Sequence, residues 1–301
     1  MSNKTNNNIP LLNPILFTEE LIERSWNPSN RIKVNSFFIH SFMDNVVPLK
    51  LPLPLHKKTV NDFVLIINGN MTKTIGIESF SLTPNAFLFT PKNSITTTKE
   101  VSDDLKGFYC HFSDDFIASN PYLKKWNTQS VLQNLLLLKN EEMKTLLPLL
   151  ERMDYLYQKI NEYPQNHQLI HYYLSTFIAE VSIISEKNSL KSIVHPLVSK
   201  FQQLINEKFK ESKNVQFYAS LLHVSPNHLN KIVKKETGKT ASTIINQVCI
   251  LEAKVLLTQT DLDIMEIAHQ LGFDDSSYFS RFFKRHTSTS PANYRKMIDL
   301  S

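Results

Sequence analysis

The sequence of 301 residues predicts an α+β chain with a β-rich N-terminal part, trailing helices, and an all-α C-terminal third carrying two helix-turn-helix motifs. Three observations predict it. Short apolar runs separated by turn residues fill residues 31–112. Helical periodicity takes over after Asp114. In the last third, one helix-turn-helix pattern is written twice. The length is about twice that of a usual domain, which predicts two domains.

The strand-like runs are Val34–Ile39, Phe63–Ile67, Thr72–Ile77, Ala86–Phe89 and Phe108–Phe112. Between them stand Asn68-Gly69-Asn70, Thr83-Pro84-Asn85 and Thr90-Pro91-Lys92-Asn93, all turn formers. Short strands at that spacing predict a sandwich or small barrel over 11–115. Asn68-Gly69 is the strongest single hairpin signal. Residues 1–10 are Asn-rich without apolar periodicity and read as a disordered tail.

Residues 116–187 read as a helical packing or dimerisation segment. A short helix near Phe116 precedes a helix from about Glu141 to Ile160, capped by Asn140, in which Pro148 marks a kink or a late start. A second helix from about Gln165 to Ser185 carries the stripe Leu169, Tyr173, Phe177, Val181 and Ile184. The polar stretch Glu186–Lys191 places a linker at 188–195.

In the remaining segment, 196–301, Ala219 lies over Ala268 and Leu222 over Leu271. Val224 lies over Phe273, and His228–Lys235 over Tyr278–Arg285. Each copy reads as a short helix, a tight turn and a second helix. Gly272 makes the turn in one copy and His223 takes its place in the other. Ser225-Pro226 starts the second helix of the first copy, Asp274 or Asp275 that of the second, and Gly238 closes the former. Leu229, Ile232 and Val233, like Phe279, Phe282 and Phe283, form the apolar face. The opposite face carries Asn227, Asn230, Lys231 and Lys234 in one copy, and Ser277, Ser280, Arg281 and Lys284 in the other. Amide, hydroxyl and cationic groups are those that meet base edges and phosphates. A solvated face on a helical bundle is the bland alternative, and its repetition at the same place in both copies favours double-stranded DNA. The spacer Thr240–Thr258 is an apolar-periodic helix about 28 Å long, similar to the roughly 34 Å between successive major grooves.

These residues resemble the AraC-type transcriptional regulators. The resemblance rests on Leu251-Glu252-Ala253-Lys254, Ile267-Ala268, Leu271–Asp275, Ser277–Lys284 and Ser290–Arg295. The β part with its trailing helices more loosely resembles their cupin-like sensor domain. The resemblance implies a sequence-specific regulator, in particular an activator, whose N-terminal domain senses a small molecule, forms a homodimer, or does both, with RNA polymerase as a further partner. It places Asn227, Asn230 and Lys231 in one major groove, and Ser276, Ser277, Tyr278, Ser280 and Arg281 in the next. Lys234, Lys284 and Arg295 become phosphate or scaffold contacts. Val248 stands where the family often has arginine, and Ser288 where it often has glycine.

Composition narrows the alternatives. Net charge is only +5, but residues 196–301 hold 14 basic against 10 acidic residues, so most of the excess sits there. No apolar run reaches the roughly 20 residues of a membrane span and no secretory signal is legible, which predicts a cytoplasmic protein. Two cysteines, Cys110 and Cys249, are too few for a disulfide framework or zinc site. A cupin-type barrel can be an enzyme, but His40, His56 and His111 are scattered, and Cys110 and His111 point to opposite faces of a strand. Five glycines leave little for a phosphate loop. The expectation is therefore no enzyme, no metal and no cofactor. The alternative is a cupin-type enzyme or ligand-binding protein whose C-terminal helices are structural. Phe37, Phe63, Phe87, Phe89 and Tyr109 are the expected lining of an effector pocket.

Overall fold

In a computed structural model of the chain, residues 11–12, 36–43, 51–118, 120–189 and 195–299 are described. The tail at 1–10 and most of the expected linker lie outside them. The chain divides into two compact units, one of Leu12–Ile193 and the other of Val194–Ser301 together with Met1–Leu11.

The first unit is built on two five-stranded sheets. One has the order β1 (Leu11–Leu12), β3 (His56–Lys58), β8 (Ile95–Val101), β5 (Met71–Ile75), β6 (Glu78–Leu82). The other has the order β10 (Leu135–Leu137), β7 (Ala86–Thr90), β4 (Asn61–Asn68), β9 (Lys106–Phe112), β2 (Phe37–Ser41). These two sheets are the sandwich or small barrel expected from the sequence. β4 is buried from Asn61 to Ile66. Its odd-numbered residues Phe63 and Leu65 face the helices behind the sheet, while Val64 and Ile66 meet Ile75, Phe80 and Leu82 of the other sheet. A strand covered on both faces reads as a continuous apolar run, which is how this one looks in the sequence.

Asn68-Gly69 does not close a hairpin. β4 pairs with β7 and β9, whereas β5 pairs with β6 and β8, so this turn carries the chain from one sheet to the other. The reason is tertiary: Asn70 N–H donates to Ser102 Oγ at 2.8 Å, and the Asn68 amide donates to the Asp104 carbonyl at 3.1 Å. A Cβ on Gly69 would stand 2.5 Å from Ser102 Oγ, at φ +77°. The turn is tied to the β8–β9 loop rather than to its own flanks. The hairpin lies one strand later, at Gly76-Ile77, so the expected run Thr72–Ile77 ends at Ile75.

Behind the second sheet lie a 3₁₀ turn at Asp114–Ile117, α1 (Leu123–Thr128), α2 (Asn140–Gln158) and α3 (Asn166–Ser189). The turn at Phe116 matches the expected short helix. α2 starts one residue earlier than expected, with Lys139 N–H donating to Glu142 Oε2 at 2.7 Å, and it runs through Pro148 rather than starting after it. On α3 the buried stripe is Ile170, Leu174, Phe177, Ile178 and Val181, while Leu169 is exposed and Tyr173 half-buried. The expected i, i+4 stripe drifts around a helix of 3.6 residues per turn, and the i, i+3 members keep it on the sheet. Phe63 stacks on Phe177 at 4.9 Å, and Trp126 donates its indole N–H to Ser182 Oγ at 2.7 Å.

The second unit holds α4 (Pro196–Lys208), α5 (Val215–Leu221), α6 (Pro226–Thr237), α7 (Ala241–Gln259), α8 (Ile264–Gln270), α9 (Ser276–Thr287) and α10 (Pro291–Asp299). α7 is its axis, burying Ile244, Ile245, Cys249, Ala253, Leu256 and Leu257. Its length and apolarity alone would suit a membrane span, but it serves here as a core helix flanked by two helix pairs. α4 packs on α6 and α7. Sequence reading did not single out α4, although Pro196 at its start and Val198, Phe201 and Ile205 at helical spacing were visible signals.

Candidate nucleic-acid interface

The pairs α5–α6 and α8–α9 repeat each other's turns and closures, with side-chain caps at the same places but of different reach. Each first helix is opened by a side-chain cap, Asn214 accepting from Gln216 N–H and Asp263 from Glu266 N–H. Each closes with a left-handed residue, His223 at φ +55° and Gly272 at φ +74°. The next amide returns to the alanine five positions earlier: Val224 N–H to Ala219 O at 3.0 Å, and Phe273 N–H to Ala268 O at 2.9 Å. The buried alanines let the helices approach closely.

The second helices, α6 and α9, begin at Ser225 and Asp275, so Asp275 rather than Asp274 is the cap. Both end in a left-handed residue, Gly238 at φ +71° and Ser288 at φ +63°. Thr237 and Thr287 repeat the same closure, their hydroxyls donating to Val233 O and Phe283 O at 2.8 and 2.9 Å. Leu229 and Val233, and Phe279, Phe282 and Phe283, are buried as expected, while Ile232 is half-buried.

On the outer faces, Asn227, Lys231 and Lys234 of α6 and Ser277, Tyr278, Arg281 and Lys284 of α9 are exposed. Ser276 and Ser280 are half-buried. Among the described residues no ion pair engages Lys231, Lys234, Arg281 or Lys284, so no carboxylate neutralises them. Two other residues have scaffold contacts. Asn230 is half-buried and its Oδ1 accepts from Ala241 N–H at 3.0 Å, joining α6 to the start of α7. Arg295 donates to the carbonyls of Leu257 at 3.0 Å and Thr260 at 3.4 Å, tying α10 to the end of α7. Val248 is half-buried on α7. The arrangement is thus two helices with exposed cations, accompanied by an amide on α6 and hydroxyls on α9, on one 19-residue rod.

The expected effector lining is corrected by the strand geometry of the first unit. Phe37, Phe63, Phe87 and Phe89 point to the helices and fill a solid core: Phe37 stacks on Phe116 at 5.0 Å, and Phe87 and Phe89 meet Trp126 at 5.7 and 5.4 Å. Side chains alternate along a strand, so the inter-sheet face carries their neighbours instead. Tyr109 alone of the five lies on it. There Asp62, fully buried, pairs across the sheets with Lys58 and Lys73, each at 2.7 Å, and stands in register between Thr90 and His111. Lys58 also donates to Tyr109 OH at 3.2 Å. The two ammonium groups hold the Asp62 carboxyl far below its ordinary range against the opposing effect of burial, while burial lowers Lys58 to about 8. His56, buried beside them, is pushed down to about 3 and is neutral at pH 7. Sequence reading missed this polar cluster because its members come from four strands.

Among the described residues no group of three His, Cys, Asp or Glu could hold a metal ion. Cys110 faces the helix side and His111 the inter-sheet side, as their adjacency predicts. Burial pushes the Cys110 thiol well above its ordinary range.

Residues 218–297, from within α5 to within α10, match the family model described as a helix-turn-helix domain. Among curated proteins, the chain is 27% identical over 146 residues to the uncharacterized HTH-type transcriptional regulator YijO of Escherichia coli (strain K12), covering 47% of this chain and 52% of that protein. It is 29% identical over 196 residues to the Msm operon regulatory protein of Streptococcus mutans, covering 64% of this chain and 60% of that protein. It thus spans little more than half the length of these two relatives. Among solved structures, the C-terminal domain of AraT, a response regulator from Geobacillus stearothermophilus, is 32% identical, covers 35% of this chain and 87% of its own, and gives a TM-score of 0.33.

Proposed function

We propose that this chain, whose last third is an AraC-type double helix-turn-helix domain, is a sequence-specific DNA-binding transcription regulator. The observation that carries the reading is the repeat itself. Two helix pairs with side-chain caps, left-handed turns and closing threonines at the same places present exposed cations at matching positions, Lys231 with Arg281 and Lys234 with Lys284, beside the polar pair Asn227 and Ser277. A structural bundle has no need to expose the same chemistry twice. α6 and α9 enter successive major grooves on one face of the duplex. Asn227, Lys231, Ser277, Tyr278 and Arg281 meet base edges, and Lys234 and Lys284 meet phosphates.

The N-terminal unit senses a small molecule, dimerises, or does both. Its effector would meet the inter-sheet face, where Lys58, Asp62, Lys73 and Tyr109 offer charge and hydrogen bonds, rather than the phenylalanine core. A homodimer and RNA polymerase are the protein partners in this reading, and the cytoplasm is its place of action.

The test is selection of duplexes from a random-sequence pool by the full chain at physiological salt. A common motif of roughly 20 bp, spanning two successive grooves, is the expected result. Binding that is weak and indifferent to sequence would refute the proposal.

A further inference from the structure

We propose that Lys213 is a positioning residue that locks the two reading heads at a fixed separation, and so sets the spacing of the DNA site the protein accepts. The inference rests on the regulator reading above and adds a second connection between the heads to the one made by α7.

The segment between α4 and α5, at the entrance of the first head, touches the turn of the second. Lys213 Nζ donates to the carbonyl oxygens of Leu271 at 2.8 Å and Gly272 at 3.0 Å, and stands 4.1 Å from the centroid of the Phe273 ring. A cation held by two carbonyls just past the C-terminal end of α8, and over an aromatic face, joins three favourable interactions in one side chain. A second closure lies beside it. A Cβ on Gly272 would fall 1.8 Å from the carbonyl oxygen of Lys210, so backbone meets backbone there and only glycine fits. The anchor on the first-head side is itself fixed: Tyr218 donates its hydroxyl to Ser212 O at 2.8 Å, and Asn214 N–H donates to Ser212 Oγ at 3.1 Å. Tyr218 is buried against Phe201 of α4.

The two turns are unequal in this respect. His223 and Gly272 are both exposed, but Val224 stands where Phe273 supplies the ring. The helix-turn-helix function of a head needs no lysine at its turn, as the first head shows. Lys213 therefore serves the relation between heads. α7 joins them through its packing with α8, α9 and α10 and the Arg295 tie to its end, and without the clamp these contacts alone resist bending and twisting at the segment after Gln259. The clamp from residues 210–213 to 271–273 closes a ring through α5, α6, α7 and α8, and a closed ring resists both motions.

The experiment uses the full chain and the duplex it selects, together with duplexes carrying one base pair more or one fewer between the two contacted grooves. The wild type is expected to lose about tenfold or more in affinity on either altered duplex. Lys213→Met keeps the side-chain length and the contact with Phe273 but removes the donors. It is expected to bind the selected duplex about three- to tenfold more weakly and to lose only about threefold or less on the altered ones. Lys213→Arg should restore the wild-type penalty. If Lys213→Met lowers the melting temperature below that of the assay, the same comparison is made at a temperature below that midpoint. An unchanged spacing penalty in the variant overturns the proposal. So does a uniform loss on all duplexes with a salt slope shallower by about one, which would make Lys213 a phosphate contact. Failure of the wild type to select any common sequence is a different result: it removes the regulator reading and the clamp's purpose with it.

Discussion

Two glycines with nearly the same backbone make opposite demands. Gly238 sits at φ +71° with nothing within 4 Å of where its Cβ would be, and Gly272 sits at φ +74° with Lys210 O at 1.8 Å. Alanine at 238 would meet only the left-handed penalty of about 1–2 kcal/mol, partly offset by about 0.4–1 kcal/mol from a stiffer unfolded chain. The net loss expected for Gly238→Ala is about 1 kcal/mol or less. Alanine at 272 meets the same terms and a collision between covalently fixed atoms. Relief requires moving the Lys210–Lys213 backbone away, which gives up Lys213's bonds to Leu271 O and Gly272 O. Charge-assisted hydrogen bonds contribute about 1.5–3 kcal/mol each, so with the left-handed terms Gly272→Ala should cost about 3–7 kcal/mol in all. Urea titration followed by far-UV ellipticity measures both. Trp26 and Trp126 belong to the N-terminal part of the sequence, so tryptophan fluorescence should report an unchanged midpoint and serve as the internal reference. Losses for the two variants within about 0.5 kcal/mol of each other would show that the loop does not press on the turn, and the reasoning would fail.

Ser288 holds φ +63° where Gly238 stands in the first head, so Ser288→Gly should stabilise by about 0.5–1 kcal/mol; a loss of stability in denaturant titration would contradict the assignment. Arg281→Ala should weaken specific binding by about 1–3 kcal/mol and relax preference at one base pair, whereas Lys284→Ala should weaken binding to every duplex and reduce the salt slope by about one. Identical behaviour of the two across a mutated site series would reverse those roles. Asp62→Asn should destabilise the N-terminal unit by about 3–5 kcal/mol, because two buried ammonium groups lose their shared carboxylate; a change under about 1 kcal/mol would show that the cluster is hydrated. Asp154 supplies a pH signature. Burial raises its carboxyl to about 6, so the folded state holds the proton more tightly than the unfolded state between the ordinary value of 3.8 and about 6, and stability falls as pH rises through that window. Asp154→Asn should therefore gain about 1 kcal/mol at pH 7, after discounting for solvent screening, and gain nothing near pH 4. An equal effect at both pH values would refute the linkage.

The C-terminal repeat was legible because its information is local. Caps, left-handed turns and apolar spacing all lie within a dozen residues of one another, and Ser225-Pro226, Gly238 and Gly272 act where the sequence places them. What stayed hidden is long-range. Lys213 and Gly272 are far apart in the chain, and nothing about a lysine between two helices announces that its ammonium will meet those carbonyls. The N-terminal unit shows the same division. The presence of strands and helices was readable, but which face of each strand turns inward was not: an apolar run such as Phe63–Ile67 is buried on both sides and has no polar side to mark its orientation. Choosing Phe37, Phe63, Phe87 and Phe89 as lining selected the helix side, while Asp62 and Thr90 stood one residue away on the other, with Tyr109 the one chosen aromatic beside them. Asn68-Gly69 misled for a related reason, since the turn chemistry was right and the partner strands were decided by Ser102 and Asp104.

The spacer helix α7 has a consequence for how such a reader can change. Each residue added to it advances the second head by about 1.5 Å and turns it by about 100°. Each base pair added to the duplex advances a groove by about 3.4 Å and turns it by about 34°. The two screws have different gearing, so no single-residue insertion in α7 can be matched by any single-base-pair insertion in the site. The length of α7 is therefore frozen in coarse steps, and a new operator is reached by exchanging side chains on α6 and α9 rather than by stretching the axle between them.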